Sequence, residues 1–128
     1  MKTTVALHPE IDTSEAAIVT KAVTRASDKL NIPNRILGSV IGLSDPTISR
    51  MKKGTYFLNR TEKAFELSVL FIRMYRSLTA IVGGDDAIAQ SWLNNYNTAL
   101  QANPIERIQS VNGLMDVINY LDARRAII

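Results

Sequence analysis

Apolar residues recur along most of this chain with the 3.6-residue period of an amphipathic helix. The first such segment follows Thr13 and Ser14, either of which is suited to cap a helix, with Glu15 in the first turn. Its apolar positions are Ala17, Ile18, Ala22, Ala26 and Leu30. Asn31 and Pro33 then end the helix. The same period returns in every later segment, so the pattern predicts an all-α protein.

Two short helices joined by a glycine corner follow. The first is predicted over residues 34–41, with four apolar side chains inward: Ile36, Leu37, Val40 and Ile41. Gly42 permits the sharp turn, because it has no side chain to resist a left-handed backbone. Ser44 then caps the second helix, Asp45 and Pro46 suit its first turn, and Gly54 ends it. This arrangement is typical of a helix-turn-helix, which places its second helix in a DNA groove.

The second of these helices presents a polar face that could contact DNA. Ile48 and Met51 are expected to face the core, together with Leu43. We expect Arg50 and Thr47 to read bases. The full set of candidate DNA contacts is Ser44, Thr47, Ser49, Arg50, Lys52 and Lys53. Alternatively, the pattern describes a plain helical hairpin with a solvated face.

A long helix is predicted from about Thr61 to Val82. Its main apolar stripe consists of Ala64, Leu67, Phe71, Met74, Leu78 and Ile81. A second stripe consists of Phe65, Val69 and Ile72. The helix is therefore apolar on more than one side, which fits either a wholly buried core helix or a helix that also forms a homodimer contact.

The last third of the chain is predicted to hold three shorter helices. Gly83 and Gly84 stop the long helix, and Asp85 and Asp86 start the next. A polar loop over residues 94–103, with Ala99 and Leu100 as apolar anchors, leads to a short helix opened by Pro104 and to a final helix preceded by Gly113. We divide the chain into an N-terminal helix-turn-helix region, residues 1–58, and a second helical domain, residues 59–128.

Composition narrows the possible functions. The 128 residues include no cysteine and a single histidine, His8, so we expect no disulfide, no thiolate chemistry and no metal site. The carboxylates are scattered, and none is fixed by spacing beside a base or nucleophile, so we expect no catalytic site. A net charge of +3 is compatible with DNA binding. With no signal region and no long apolar run, the protein is expected in the cytoplasm, without a membrane partner.

Motifs of the second module resemble a known family. They are Trp92-Leu93, Asn97-Thr98-Ala99-Leu100, Pro104-Ile105-Glu106-Arg107-Ile108, Gly113, Val117 and Leu121. This succession is similar to the toxin-binding domain of Xre/MbcA/ParS-type antitoxins, over about residues 60–128. The helix-turn-helix before it resembles the Xre-like half of the same proteins. Gln101-Ala102 and Tyr96 depart from the family pattern, in which small glycines and a proline are usual at those places.

The resemblance implies an antitoxin without catalytic activity or cofactor. Its implied partners are a RES-domain toxin that acts on NAD, whose active-site cleft the second module covers, and the operator DNA of its own operon. The expected toxin contacts are Trp92, Asn97, Leu100, Arg107, Asp122, Arg124, Arg125 and Ile128. The alternative function is that of a stand-alone dimeric helix-turn-helix regulator whose second half only dimerises.

Several roles are open for the C-terminal segment. In one, Asp122 or the terminal carboxylate takes the place of a pyrophosphate among cations of the NAD site. In another, Arg124 and Arg125 bind acidic groups at the toxin's rim while Ile127 and Ile128 fill an apolar pocket. A disordered tail is the third. If the tail is disordered, we expect the toxin contact on the face from Trp92 to Arg107. The alternative role of Trp92 is packing within the core.

Overall fold

A computed structural model of the chain describes the backbone of residues 2–127 and the side chains of residues 15–127. Within this part the chain forms seven α-helices and no named strand: α1 (Lys2–Lys29), α2 (Asn34–Ile41), α3 (Asp45–Lys53), α4 (Lys63–Ile81), α5 (Asp86–Asn94), α6 (Pro104–Arg107) and α7 (Val111–Ile127). The predicted all-α class is confirmed. Among the helices of residues 2–127, none is both long and apolar enough to cross a membrane.

The start of α1 differs from the prediction. We predicted that Thr13 or Ser14 caps the helix, but α1 begins at Lys2 and continues through both residues. A threonine or serine inside a helix costs only about 0.7 kcal/mol or less relative to alanine. A capping residue therefore permits a helix to start but does not force it to.

The helix-turn-helix has the predicted boundaries. The backbone of Gly42 is left-handed, with φ 80°, and its N–H donates to the carbonyl of Gly38 at 2.8 Å. Ser44 caps α3, because its Oγ accepts the backbone N–H of Thr47 at 3.3 Å. The left-handed Gly42 and the Ser44 cap set the direction in which α3 leaves the turn. The buried side chains of Ile48 and Met51 then pack α3 on the core.

Helix α4 is the centre of the molecule, since α1, α2, α5 and α7 all pack against it. It begins two residues later and ends one residue earlier than predicted. Phe71, Met74 and Leu78 are fully buried, as the main stripe predicts. One hydrophobic cluster extends without a break from Val23 of α1 to Leu121 of α7.

The second stripe of α4 is only partly covered. Phe65 and Ile72 are half-buried, and Val69 is 44% exposed. Ile18 of α1, which the period places with the apolar residues, is 68% exposed. It points away from the core because Ala16, Val23 and the hydroxyl residues between them form the inner face of α1. Ile18 and Val69 line one open groove.

Two predictions for the C-terminal third are wrong in detail. Helix α7 begins at Val111, so Gly113 lies inside the helix rather than before it. A side chain at Gly113 would collide with the carbonyl of Arg107, and the glycine therefore serves close packing of α6 on α7. In the preceding loop Leu100 is buried as predicted, whereas Ala99 is exposed.

Candidate functional sites

The outer face of α3 carries a short network of polar side chains. Ser44 Oγ and Thr47 Oγ1 lie 2.8 Å apart and share a hydrogen bond, and Arg50 Nη2 donates to Thr47 Oγ1 at 3.1 Å. All three side chains lie at the protein surface. The network orients the Arg50 guanidinium before any ligand is present, and a guanidinium can donate two parallel hydrogen bonds to guanine.

The remaining predicted DNA contacts divide into two groups. Ser49 is half-buried and Lys53 is exposed, and together with Arg50 they lie on the face of α3 opposite Ile48 and Met51. The Nζ of Lys52 instead donates to Asp28 Oδ1 of α1 at 2.8 Å. Lys52 therefore joins α3 to α1, which the sequence could not indicate because the two residues are 24 positions apart.

An aromatic surface occupies the second half of the chain. The Trp92 ring of α5 stacks on the Tyr120 ring of α7, with centroids 6.1 Å apart and an interplanar angle of 22°. The Arg124 guanidinium carbon lies 5.4 Å from the centre of the Tyr120 ring. Trp92 is only half-buried, so this stack is partly accessible to a partner. Sequence reasoning missed Tyr120, whose only local signal is its position one turn before Arg124.

Two of the predicted toxin contacts shape the loop instead of forming an open surface. The side-chain oxygen of Asn97 accepts the backbone N–H of Leu100 at 3.0 Å. Asn97 also pairs with Ala102 through two backbone hydrogen bonds, of 3.0 and 3.4 Å. The side chain of Leu100 is buried in the common core. The motif Asn-Thr-Ala-Leu is therefore explained by the fold of the loop itself.

Arg107 links the last two helices. Its Nη2 donates to Asp116 Oδ2 of α7 at 2.5 Å, and its Nε has no hydrogen-bond partner among the described residues. Because Gly113 packs beneath the carbonyl of Arg107, the side chain is held against the first turns of α7. The Arg107 side chain as a whole is 38% exposed at this junction.

Asp122 is held within the protein by groups of α4. Ser77 Oγ donates to Asp122 Oδ1 at 2.7 Å, and Arg73 Nη2 donates to Asp122 Oδ2 at 2.5 Å. The hydrogen bond from Ser77 lowers the pKa of Asp122 from its ordinary value of 3.8, aided by the hydrogen bond from Arg73 and by the charges of Arg73 and Arg125, although partial burial opposes the shift. Arg125 lies beside the cluster, with Nη1 3.4 Å from Ser77 Oγ.

The segment after Asp122 continues α7 as a helix up to Ile127. The predicted alternative of a disordered tail is therefore wrong for these residues. Arg124 and Arg125 are exposed, and Ile127 is 83% exposed. The predicted toxin contact Ile128, with the terminal carboxylate, lies outside the described residues.

Comparison with protein-family models assigns both halves of the chain. Residues 9–73, about half of the chain, match the antitoxin Xre-like helix-turn-helix domain. Residues 77–126 match the antitoxin Xre/MbcA/ParS C-terminal toxin-binding domain. The chain belongs to the Xre-like antitoxins. A search of curated proteins gave no match.

This assignment makes the protein a type II antitoxin with a DNA-binding half and a toxin-binding half. Antitoxins of this kind are typically not enzymes. In the described part of the chain, no group of three or more histidine, cysteine, aspartate or glutamate residues is placed to hold a metal ion.

Proposed function

We propose that this antitoxin binds a RES-domain toxin, covers the cleft in which that toxin uses NAD, and represses its own operon by binding operator DNA. The toxin-binding match over residues 77–126 favours an antitoxin over a stand-alone regulator, since a regulator needs no such domain. The RES identity of the toxin comes from the resemblance described above. The observation that carries the proposal is the exposed end of α7 beside the Trp92–Tyr120 stack.

The end of α7 has the chemistry of a cleft-filling segment. Arg124 and Arg125 offer cations to acidic groups at the rim of the toxin, and Ile127 offers an exposed apolar side chain. Asp122 is less suited to replace a pyrophosphate, because both of its oxygens already accept hydrogen bonds from α4. These contacts therefore favour the alternative in which Arg124 and Arg125 bind acidic groups of the toxin over the one in which Asp122 replaces a pyrophosphate.

Operator repression fits a homodimer that joins two copies of α3. We propose that two copies pack through the groove between α1 and α4, where Ile18, Val69 and Ile72 are incompletely covered. The groove is also lined by Arg73, Arg76 and Arg125, and Glu66, one turn before Val69, is paired with Lys63 of the same helix. A two-fold dimer packed on this face would use the same apolar side chains on both copies, with the arginines at the edge of the contact.

The decisive experiment titrates a purified RES-domain toxin encoded beside this gene with the full-length antitoxin and follows the loss of NAD. We expect the loss to stop once the antitoxin is in stoichiometric excess, and the two proteins to co-elute in size-exclusion chromatography. A toxin that remains fully active in excess antitoxin would contradict the occlusion proposal. Operator binding is tested separately by a gel-shift titration with the DNA upstream of the gene.

A further inference from the structure

A groove between α1 and the end of α3 concentrates positive charge outside the recognition helix. It has a volume of about 470 Å³, and its charged lining residues are Lys21, Arg25, Asp28, Lys52 and Lys53. Four cations against one carboxylate give the groove a net charge of +3, which equals that of the whole chain. The groove is therefore a cationic surface of the described part of the chain, and the groove between α1 and α4, lined by Arg73, Arg76 and Arg125, is another.

Most of this charge is available to a ligand. The only carboxylate of the groove, Asp28, is already paired with Lys52. The side chains of Lys21, Arg25 and Lys53 are exposed and make no hydrogen bond or ion pair with any other side chain that the structure describes. The exposed ring of Phe57, with 49% of its surface accessible, forms an apolar wall beside them.

The groove is continuous with the outer face of α3. Lys53 follows Ser49 and Arg50 by one helical turn, so it belongs both to that face and to the groove. On α1, Lys21 and Arg25 are four residues apart, which places their side chains on one face with about 6 Å between Cβ atoms. Lysine and arginine both donate charge-assisted hydrogen bonds to phosphate oxygens, so two such side chains on one face of α1 can contact phosphates of one strand.

We propose that this groove binds the sugar–phosphate backbone of duplex DNA beside the base pairs read by α3, with Lys21, Arg25 and Lys53 on phosphates and Phe57 against a sugar. The proposal rests on DNA binding by α3 and extends its footprint onto α1. Phosphate contacts orient a protein on the duplex but carry no sequence information. The groove should therefore add equal affinity for operator and for unrelated DNA.

The test is an anisotropy titration of the full-length protein on two labelled duplexes, the upstream region and an unrelated sequence, over a series of KCl concentrations. The slope of log K against log salt is negative, and each lost phosphate contact lowers its magnitude by about 0.9. We expect the magnitude of the slope to fall by about 0.9 for Lys21→Gln or Arg25→Gln and by about 1.8 for the double variant. Lys29→Gln is the matched control, because Lys29 is exposed on α1 but lies outside the groove.

Two outcomes separate this proposal from DNA binding by α3. If Arg50→Ala removes operator preference while the Lys21→Gln/Arg25→Gln slope equals that of Lys29→Gln, the groove proposal is wrong and operator recognition stands. If Arg50→Ala changes nothing, operator recognition by α3 is wrong, whatever the slope. Circular dichroism verifies that the variants are folded. A double variant that weakens toxin binding and leaves the salt slope intact would overturn the proposal in favour of a protein-binding groove.

Discussion

Arg50 is positioned by its own helix before DNA is present. Thr47 accepts a hydrogen bond from its guanidinium, and Thr47 in turn shares one with the capping residue Ser44. A side chain held in this way loses less rotational freedom on binding than a mobile one. Ser44 therefore has two functions, to start α3 and to help fix the direction of its arginine.

Replacing Arg50 tests base reading at the scale of one residue. Arg50→Ala should cost about 1–3 kcal/mol of operator binding, roughly 5- to 150-fold in affinity, and relax specificity at one position. Arg50→Lys is the matched variant, since lysine keeps the charge but cannot donate a fork of two hydrogen bonds. We expect it to retain binding to unrelated DNA and to lose the operator preference. Equal operator affinity for all three proteins in a gel shift at fixed salt would contradict the assignment.

Asp122 should make the stability of the protein sensitive to acid. Because its pKa is lowered in the folded protein, its charged form stabilises the fold above about pH 4, and this contribution is lost as the pH falls through the folded pKa. Asp122→Asn should lower the urea midpoint at pH 6 and lose less on transfer to pH 3 than the native protein does. Ser77→Ala, which removes the largest cause of the shift, should have a similar but smaller effect. Equal losses on acidification in all three proteins would show that this cluster contributes nothing.

At the scale of whole helices, the partly covered face of α4 is tested through Val69. Val69→Glu places a charge at the centre of the proposed dimer contact without disturbing the main stripe, because Val69 is already 44% exposed. We expect the native protein to be a dimer by light scattering at tens of micromolar and the variant to be a monomer. Asn119→Glu, on an exposed position of α7, is the control and should remain dimeric. A native protein that is monomeric both alone and on DNA would exclude this dimer.

The elements could be predicted from sequence wherever their signals are local. Helices α2 and α3 were predicted because Gly42 and Ser44 set the chain direction through bonds to residues within one turn. The predicted start of α7 is wrong because Gly113 lies inside the helix and allows a close contact with α6. In the sequence, a glycine needed for packing looks the same as a glycine that breaks a helix. The sequence also predicts wrongly that Ile18 faces the core. The polar residues Thr20 and Thr24 occupy the inner face of α1, so the apolar pattern does not mark the buried face there.

The candidate sites were less predictable than the elements, because they depend on contacts between distant positions. The pairing of Lys52 with Asp28 and of Asp122 with Ser77 joins residues 24 and 45 positions apart. Nothing in the spacing of such residues records that they will meet. The sequence therefore predicts that α3 contacts DNA, but it does not reveal that Lys52 pairs with Asp28 of α1.

At the scale of the whole molecule, α4 belongs to both functional halves. The helix-turn-helix match ends and the toxin-binding match begins inside it, and one hydrophobic cluster covers both. The DNA-binding and toxin-binding surfaces are therefore mounted on a single core. A variant designed to remove one function must leave that core intact, which limits where the chain can be shortened.

Near the end of α7 the chain can be shortened without disturbing the core. Leu121 is buried and Asp122 is bonded to α4, so truncation after Tyr120 would remove structural contacts together with any toxin contact. Truncation after Ala123 keeps both and removes the exposed Arg124 and Arg125 with the residues beyond them. We expect the shortened antitoxin to remain folded and to bind operator DNA.

The shortened antitoxin should fail to restore growth when the toxin is expressed with it. Arg124→Ala/Arg125→Ala in the full-length chain tests the charges alone, and Ile127→Asp tests the apolar end. Each should weaken rescue if the end of α7 fills the cleft. The alanine variant loses the cations that would pair with acidic groups of the toxin. Ile127→Asp places a charged group without a partner in an apolar pocket, which is costly. Full rescue by the truncated protein would instead locate the contact on the face from Trp92 to Arg107. Trp92→Ala would then be the variant that loses rescue, since it removes the ring stacked on Tyr120 and leaves the end of α7 in place.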